Sequence, residues 1–320
     1  KRLILSVNND AVELLALIQE GREPNEENQS THCVLNTLQQ LGILNYRTEK
    51  EPQLKQNSLS PNRVTLFPTY DCNLRCVYCY ALGGEEPLSM SFELAQAAIK
   101  FVCSNAVKNG QQSFQVNFHG GGEPTMNWQV LVQSVDYAQH LAQQHGLQMS
   151  SSMASNCMLT ESQVQWIIRK MKYLTASIDG PPEIQNIQRP AANGANSFDQ
   201  VFATLKKFES LGFPYGIRAT VTQATVTRLV DVVTFFCENL KPRLIHLEPL
   251  FVCGRCLTTN ITSPDNEIFL REFLRAQEQA RKFKIRLKYS GSRLNMLSNA
   301  FCGATGRNFI VLPDGYVTSC

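Results

Sequence analysis

Between residues 63 and 250 the chain switches repeatedly between two hydrophobic periods. Short apolar or alternating runs at 63–67, 114–119, 147–153, 173–178, 215–221 and 244–248 fit the two-residue repeat of β-strands. Segments 92–107, 128–144, 161–170, 198–211, 226–239 and 265–282 space their apolar residues three and four apart, as an amphipathic helix does. Ser263 or Asp265 stands where the last of these helices needs an N-cap. Strand and helix alternate, which predicts a parallel sheet, because parallel neighbours need a crossover connection between them.

Six strands with six helices predict an α/β fold, a partial (β/α)6 barrel of the TIM type, open on one side and spanning 63–283. Chemistry in such barrels gathers at the C-terminal ends of the strands. Residues 1–62 form an appendage and linker. An apolar segment at 3–7 leads to a helix at 10–20, capped by Asn9 or Asp10 and stopped at Gly21. A second helix at 27–41 stops at Gly42, and a polar linker at 51–62 is broken by Pro52 and Pro61. Residues 284–320 are a separate Cys- and Gly-containing tail, in which Pro313-Asp314-Gly315 predicts a tight turn between two apolar strands. The basic run 281–288 reads as a helix end entering an amphipathic strand.

Composition narrows the class. The 320 residues are 43% hydrophobic and 18% charged, ordinary for a folded globular chain. No apolar run is long enough to span a bilayer and no secretory signal opens the chain, so a cytoplasmic protein without membrane partners is expected. A net charge of +3 without a concentrated basic face argues against nucleic acid. The chain opens on Lys1 and closes on Cys320, and both ends are expected to have been trimmed or to be disordered. Eleven cysteines in a chain with no secretory signal point to metal or redox chemistry rather than disulfides.

The stretch PTYDCNLRCVYCY, 68–80, places Cys72, Cys76 and Cys79 in one loop directly after the first strand. Three thiolates at C-x3-C-x2-C can ligate three irons of a cubane and leave the fourth open, whereas zinc usually takes four protein ligands. The spacing, with Tyr78 as the aromatic residue before the last cysteine, resembles the signature of the radical S-adenosylmethionine (SAM) superfamily. That resemblance implies a 4Fe–4S cluster whose open iron is chelated by SAM. It also implies reductive cleavage of SAM to a 5′-deoxyadenosyl radical, which abstracts hydrogen from the substrate.

Later motifs fall at the expected strand ends. Gly120, Gly121, Gly122 and Glu123, in HGGGEP, resemble the family's GGE motif, which contacts the SAM amino group; His119 has the weaker claim of a strand-end hydrogen-bonding residue. Ser155 and Asn156 correspond to a position that touches the ribose or carboxylate of SAM, although Cys157 replaces the glycine usual after the asparagine. Asp179, in SIDGP, and Arg189 resemble the S-x-D-G-P and R-P segment of peptide- and protein-modifying members. Arg189 suits a carboxylate contact, and Asp179 orients it, binds substrate or caps the turn. Arg218 and Glu248 are weaker candidates that could pair with each other.

In the tail, Cys302 and Cys320 flank the PDG turn and resemble the opening of a SPASM or twitch extension, which implies auxiliary iron–sulfur clusters. Cys253 and Cys256 have a C-x2-C spacing that suits a cluster, zinc or two free thiols. Residues 1–62 resemble a shortened winged-helix domain that recognises leader peptides, a task open to strand addition at a sheet edge. Together these resemblances imply a maturase acting on a ribosomally made precursor peptide, with a C–C or thioether crosslink or an epimerised residue as product. Reduced flavodoxin or ferredoxin would donate the electron. Two alternatives stay open: an anaerobic sulfatase-type maturase forming formylglycine, and a non-catalytic iron–sulfur carrier or peptide-binding scaffold.

Overall fold

The computed structural model describes residues 9–22, 29–40, 60–291, 306 and 308–319. The chain divides into two compact units, Lys1–Ser58 with Leu294–Leu297, and Leu59–Arg293 with Ser298–Cys320. In the first, α1 (Asn9–Gln19) and α2 (Gln29–Gln40) touch each other, with Leu14 and Leu38 buried. The apolar segment expected at 3–7 lies outside the described residues.

The second unit is built on a sheet of β1 (Arg63–Leu66), β2 (Ser113–Phe118), β3 (Gln148–Ser155), β4 (Tyr173–Ser177), β5 (Tyr215–Val221) and β6 (Leu244–Pro249). Three further strands join it: β7 (Arg286–Lys288), β8 (Asn308–Val311) and β9 (Val317–Thr318). The order is β7-β6-β5-β4-β3-β2-β1-β8-β9, and every pairing except β8 with β9 is parallel. The sheet is therefore an unclosed barrel wall: the six expected barrel strands form its centre, and the strands expected after the last helix and around the PDG turn extend its two edges. β8 lies parallel to β1 on the side away from β2, and Gly315, at φ 89°, turns the chain into antiparallel β9.

Six long helices cover one face: α3 (Phe92–Lys108), α4 (Trp128–His145), α5 (Glu161–Lys170), α7 (Phe198–Ser210), α8 (Leu229–Asn239) and α10 (Asn266–Lys282), with two short ones, α6 (Pro182–Gln188) and α9 (Cys256–Thr259), between them. The short pair hold too few residues to display a helical period, so the sequence pattern passes over them. Side-chain caps start three of the helices: Ser91 on α3, Thr160 with Gln163 as a capping box on α5, and Asp265 on α10.

Parallel strands usually read as continuous apolar runs, because helices bury both faces. Here they alternate, and the structure supplies the reason. Val64 and Leu66, Phe114, Val116 and Phe118, Ile217 and Ala219, and Ile245 and Leu247 are buried in the helix-facing core. The opposite face carries Gln115, Asn117, Ser152, Thr175, Ser177, Arg218 and Glu248, none of them buried. This concave polar face is open, and the loop after β1 lies at its C-terminal rim.

Candidate active site

The cysteine loop is tied down by its own side chains and by the 188–192 segment. Arg75 donates from Nη1 to the carbonyls of Cys72 (2.7 Å) and Leu74 (2.9 Å), and from Nη2 to that of Gly84 (3.0 Å). Backbone bonds run from Arg75 N–H to Pro190 O (2.8 Å), from Val77 N–H to Gln188 O (3.0 Å) and from Ala192 N–H to Asn73 O (2.9 Å). Each cysteine sulfur meets at least one N–H. Leu74 and Gly83 direct backbone N–H groups at Cys72 and Cys79, both at 3.4 Å, while Arg189 Nη1 lies 3.9 Å from Cys76 Sγ and Asn156 Nδ2 lies 3.9 Å from Cys72 Sγ. All three thiols are free, and burial pushes Cys72 up to about 12 and Cys76 up to about 11.

This donor set fits an iron–sulfur cluster. Thiolate sulfur surrounded by N–H donors is what such a cluster requires, and hydrogen bonds to sulfur tune its potential. Among the described residues, no three His, Cys, Asp or Glu side chains could hold a metal ion together. A cubane takes one thiolate per iron, so its ligands stand farther apart than those of a single tetrahedral ion.

The glycines after β2 serve the loop itself. A Cβ on Gly122 would lie 1.8 Å from the Asp71 carbonyl oxygen, and one on Gly121 would meet the Tyr70 ring at 2.6 Å. The close approach lets Gly122 N–H bond to Thr69 O (2.8 Å) and Glu123 N–H to Asp71 O (2.9 Å). Gly122→Ala is expected to displace the loop at a cost of about 1–3 kcal/mol, the usual range for overpacking. Iron release to a chelator, followed by visible absorbance, should be several-fold faster; an unchanged rate would show that the loop does not depend on this contact.

Glu123 is buried, and its carboxylate is fully engaged. It accepts from Thr125 N–H (3.3 Å), Thr125 Oγ1 (2.9 Å), Ser155 Oγ (2.9 Å) and Asn156 N–H (2.7 Å). Burial raises its pKa while these four donors oppose the shift. Ser155 Oγ also accepts from Cys157 N–H (3.0 Å), and Asn156 Nδ2 donates to Asn73 Oδ1 (2.7 Å). Cys157 takes φ 63°, the left-handed conformation that a glycine would adopt freely, and its buried thiol packs into the core.

Asp179 is a buried hub. Oδ1 accepts from Arg189 Nη2 (3.0 Å) and Thr220 N–H (2.9 Å), and Oδ2 accepts from Gln188 Nε2 (2.8 Å) and the Tyr78 hydroxyl. Arg189 lies over the Tyr78 ring, 5.3 Å from its centroid. Its Nε is 3.0 Å from Asp179 Oδ2 but off hydrogen-bonding geometry, leaving one buried N–H without an acceptor. Of the three sequence readings for Asp179, orienting Arg189 describes these contacts best.

The loop after β6 clamps the cysteine loop from the other side. Arg255 donates from Nη1 to Cys76 O (2.9 Å), from Nη2 to Gly83 O (3.1 Å) and from Nε to Glu85 (2.9 Å). Gly254, at φ 62°, has no room for a side chain, since a Cβ would lie 2.3 Å from Cys79 O. Cys253 and Cys256 bracket this clamp; Cys256 is buried, donates to Cys253 O (3.0 Å) and accepts from Cys253 N–H (3.1 Å). Sequence reasoning missed Arg75, Gln188 and Arg255, because an isolated polar residue shows no partner until the chain has folded. The suggested pairing of Arg218 with Glu248 is not made: Glu248 accepts from Ser290 Oγ and faces His246 instead. Cys302 and Cys320 lie outside the described residues.

Residues 66–228, half of the chain, match the family described as the Radical SAM superfamily. The chain belongs to the radical SAM superfamily. Its family's cofactors are a 4Fe–4S cluster and SAM. A cysteine-type anaerobic sulfatase-maturating enzyme of Clostridium perfringens is 24% identical over 267 residues, covering 78% of this chain and 71% of the relative. The mycofactocin maturase MftC of Mycobacterium tuberculosis is 28% identical over 188 residues, covering 57% of this chain and 43% of its own. Among solved structures, Streptococcus suis SuiB bound to S-adenosylmethionine matches in fold with a TM-score of 0.62 at 16% identity, covering 99% of this chain and 76% of that one. SuiB has also been solved with its precursor peptide SuiA. This radical SAM chain is accordingly an enzyme, and both of these curated relatives are maturases. No helix among the described residues is long and apolar enough to cross a membrane.

Proposed function

We propose that this enzyme is a maturase that abstracts hydrogen from a residue of a ribosomally made precursor peptide, leading to a C–C or thioether crosslink or to epimerisation. The observation that carries the reading is the convergence of Cys72, Cys76 and Cys79, with N–H groups on each sulfur, at the rim of an open polar concave face. Each of these cysteines would hold one iron. The backbone of Gly120, Gly121 and Gly122, together with Asn156 and Arg189, would face SAM, with the Arg189 guanidinium held in place by its ion pair to Asp179. Tyr78, Glu123, Ser155 and Asp179 act behind them, fixing the arginine and the asparagine through the bonds described. When bound, cluster and SAM supply one-electron cleavage of a sulfonium and the hydrogen abstraction that follows. The protein's share is to hold the target carbon in place and keep competing donors away.

Cys302 and Cys320 are proposed to ligate an auxiliary cluster, with Cys253 and Cys256 as further thiols near the cysteine loop. Residues 1–62, which include α1 and α2, would recognise a leader peptide, 63–283 would form the catalytic barrel, and 284–320 would begin the auxiliary-cluster region. Reduced flavodoxin or ferredoxin is the proposed electron donor, and the cytoplasm the proposed location.

A second reading, formation of formylglycine in a sulfatase, draws support from the extent of the match to the C. perfringens enzyme. One experiment separates the readings. The protein is reconstituted anaerobically with iron and sulfide, then incubated with SAM, a reductant and the small peptide encoded beside the gene. Crosslinking removes two hydrogens from the peptide, whereas epimerisation in deuterated solvent adds deuterium at constant connectivity. A peptide left unchanged beside a sulfatase peptide that gains a hydrazide-reactive aldehyde favours the second reading. Failure to cleave SAM with an intact cluster would return the scaffold alternative.

A further inference from the structure

Arg218 stands on the concave face of β5 with its neighbours Ile217 and Ala219 buried against the helices on the other side. Its side chain is exposed, and among the described residues it makes no hydrogen bond or ion pair. In the ladder it lies between Ser177 of β4 and His246 of β6, both polar. Its charge is felt at His119, Tyr80 and Glu248, from three different elements, yet none of them neutralises it by contact. Glu248 is occupied by Ser290 and His246. Burial, reinforced by the Arg218 charge, drives His119 down to about 4, so this histidine is neutral near pH 7. Among the described residues the middle of the concave face therefore presents an exposed guanidinium that no side chain contacts, with the Glu248 carboxylate already engaged by Ser290 and His246.

We propose that Arg218 anchors a carboxylate of the peptide substrate, an Asp or Glu side chain or a chain terminus. Guanidinium and carboxylate match as a two-pronged, charge-assisted pair, which fixes orientation as well as affinity. The SAM carboxylate is assigned to Arg189 instead. Arg189 is the guanidinium beside a cysteine sulfur, whereas Arg218 bonds to no residue of 72–79 or 120–123. An anion at Arg218 thus belongs to a second molecule, placed on the open face below the cysteine loop. The proposal rests on the reading of the enzyme as peptide-modifying, and it makes Arg218 a determinant of which peptide segment enters.

The test uses anaerobically reconstituted holoenzyme with SAM, and N-acetylglutamate and N-acetylglutamine as probes, followed by saturation-transfer NMR. Wild-type protein is expected to bind the acid at least ten-fold more tightly than the amide. Arg218→Gln should lose that preference, Arg218→Lys should keep part of it, and SAM retention in equilibrium dialysis should be unchanged in both. Because the side chain is exposed and unbonded, neither variant should alter iron content or folding. Equal binding of acid and amide by wild-type protein, or an unaltered preference in Arg218→Gln, overturns the proposal. So does loss of SAM retention in Arg218→Gln, which would assign the arginine to the cofactor. Absence of SAM cleavage by wild-type enzyme would sink the catalytic reading and leave this binding measurement readable.

Discussion

Replacing Cys72, Cys76 or Cys79 singly by alanine is expected to yield folded protein that retains no more than about a tenth of the wild-type iron after reconstitution and cleaves no SAM. A cubane already lacking a protein ligand at one iron has nothing in reserve when a second thiolate is lost. The fold should survive, because removing one half-buried sulfur costs only about 1 kcal/mol, at the low end of the range for trimming a buried side chain. The loop keeps its anchors without the sulfurs, through Arg75, Arg255 and the backbone bonds to 188–192. Iron per chain and visible absorbance report the cluster, and far-UV circular dichroism reports the fold. A variant that keeps full iron and cleaves SAM would remove that cysteine from the ligand set.

Asp179→Asn is expected to lower stability by about 3–5 kcal/mol, the range for stripping one partner from a buried ion pair. Asparagine preserves the shape but leaves the Arg189 cation facing a neutral amide, with Tyr78, Gln188 and Thr220 competing for one carbonyl where a carboxylate served all of them. The urea midpoint measured anaerobically should fall accordingly, and iron should leave faster because Tyr78 and Arg189 flank Cys76 and Cys79. The double variant Asp179→Leu, Arg189→Met should recover most of the midpoint, since it removes both charges, but not SAM binding. An unchanged midpoint in the single variant would mean that the pair does not organise the site.

The strands and long helices were legible because each buries one face, and burial writes a period into the sequence. Glu161–Lys170 carries its own capping box, so even its ends are local information. β8 could be foreseen as an apolar segment before a PDG turn, but not as a parallel neighbour of β1 more than two hundred residues away. Nothing local encodes that pairing. The site divides in the same way. The cysteine spacing and the HGGGEP, SNC and SIDGP motifs were visible because close backbone geometry restricts residue choice over a few consecutive positions.

By itself, then, the sequence determined the kind of wall the chain builds, which loop carries the thiols and what chemistry those thiols serve. These depend on neighbours within a turn or two. Only the tertiary structure decided what surrounds them: that Gly122 is small to admit the Asp71 carbonyl, that Asp179 holds Tyr78 and Arg189 together, and that Arg255 closes the loop from the turn after β6. It also decided that Glu248 turns to His246 and leaves Arg218 unpaired on an open face. The physical reason is common to all four. Hydrogen bonds and charges act over a few ångströms in space, and the partners of these residues lie up to 179 positions away along the chain.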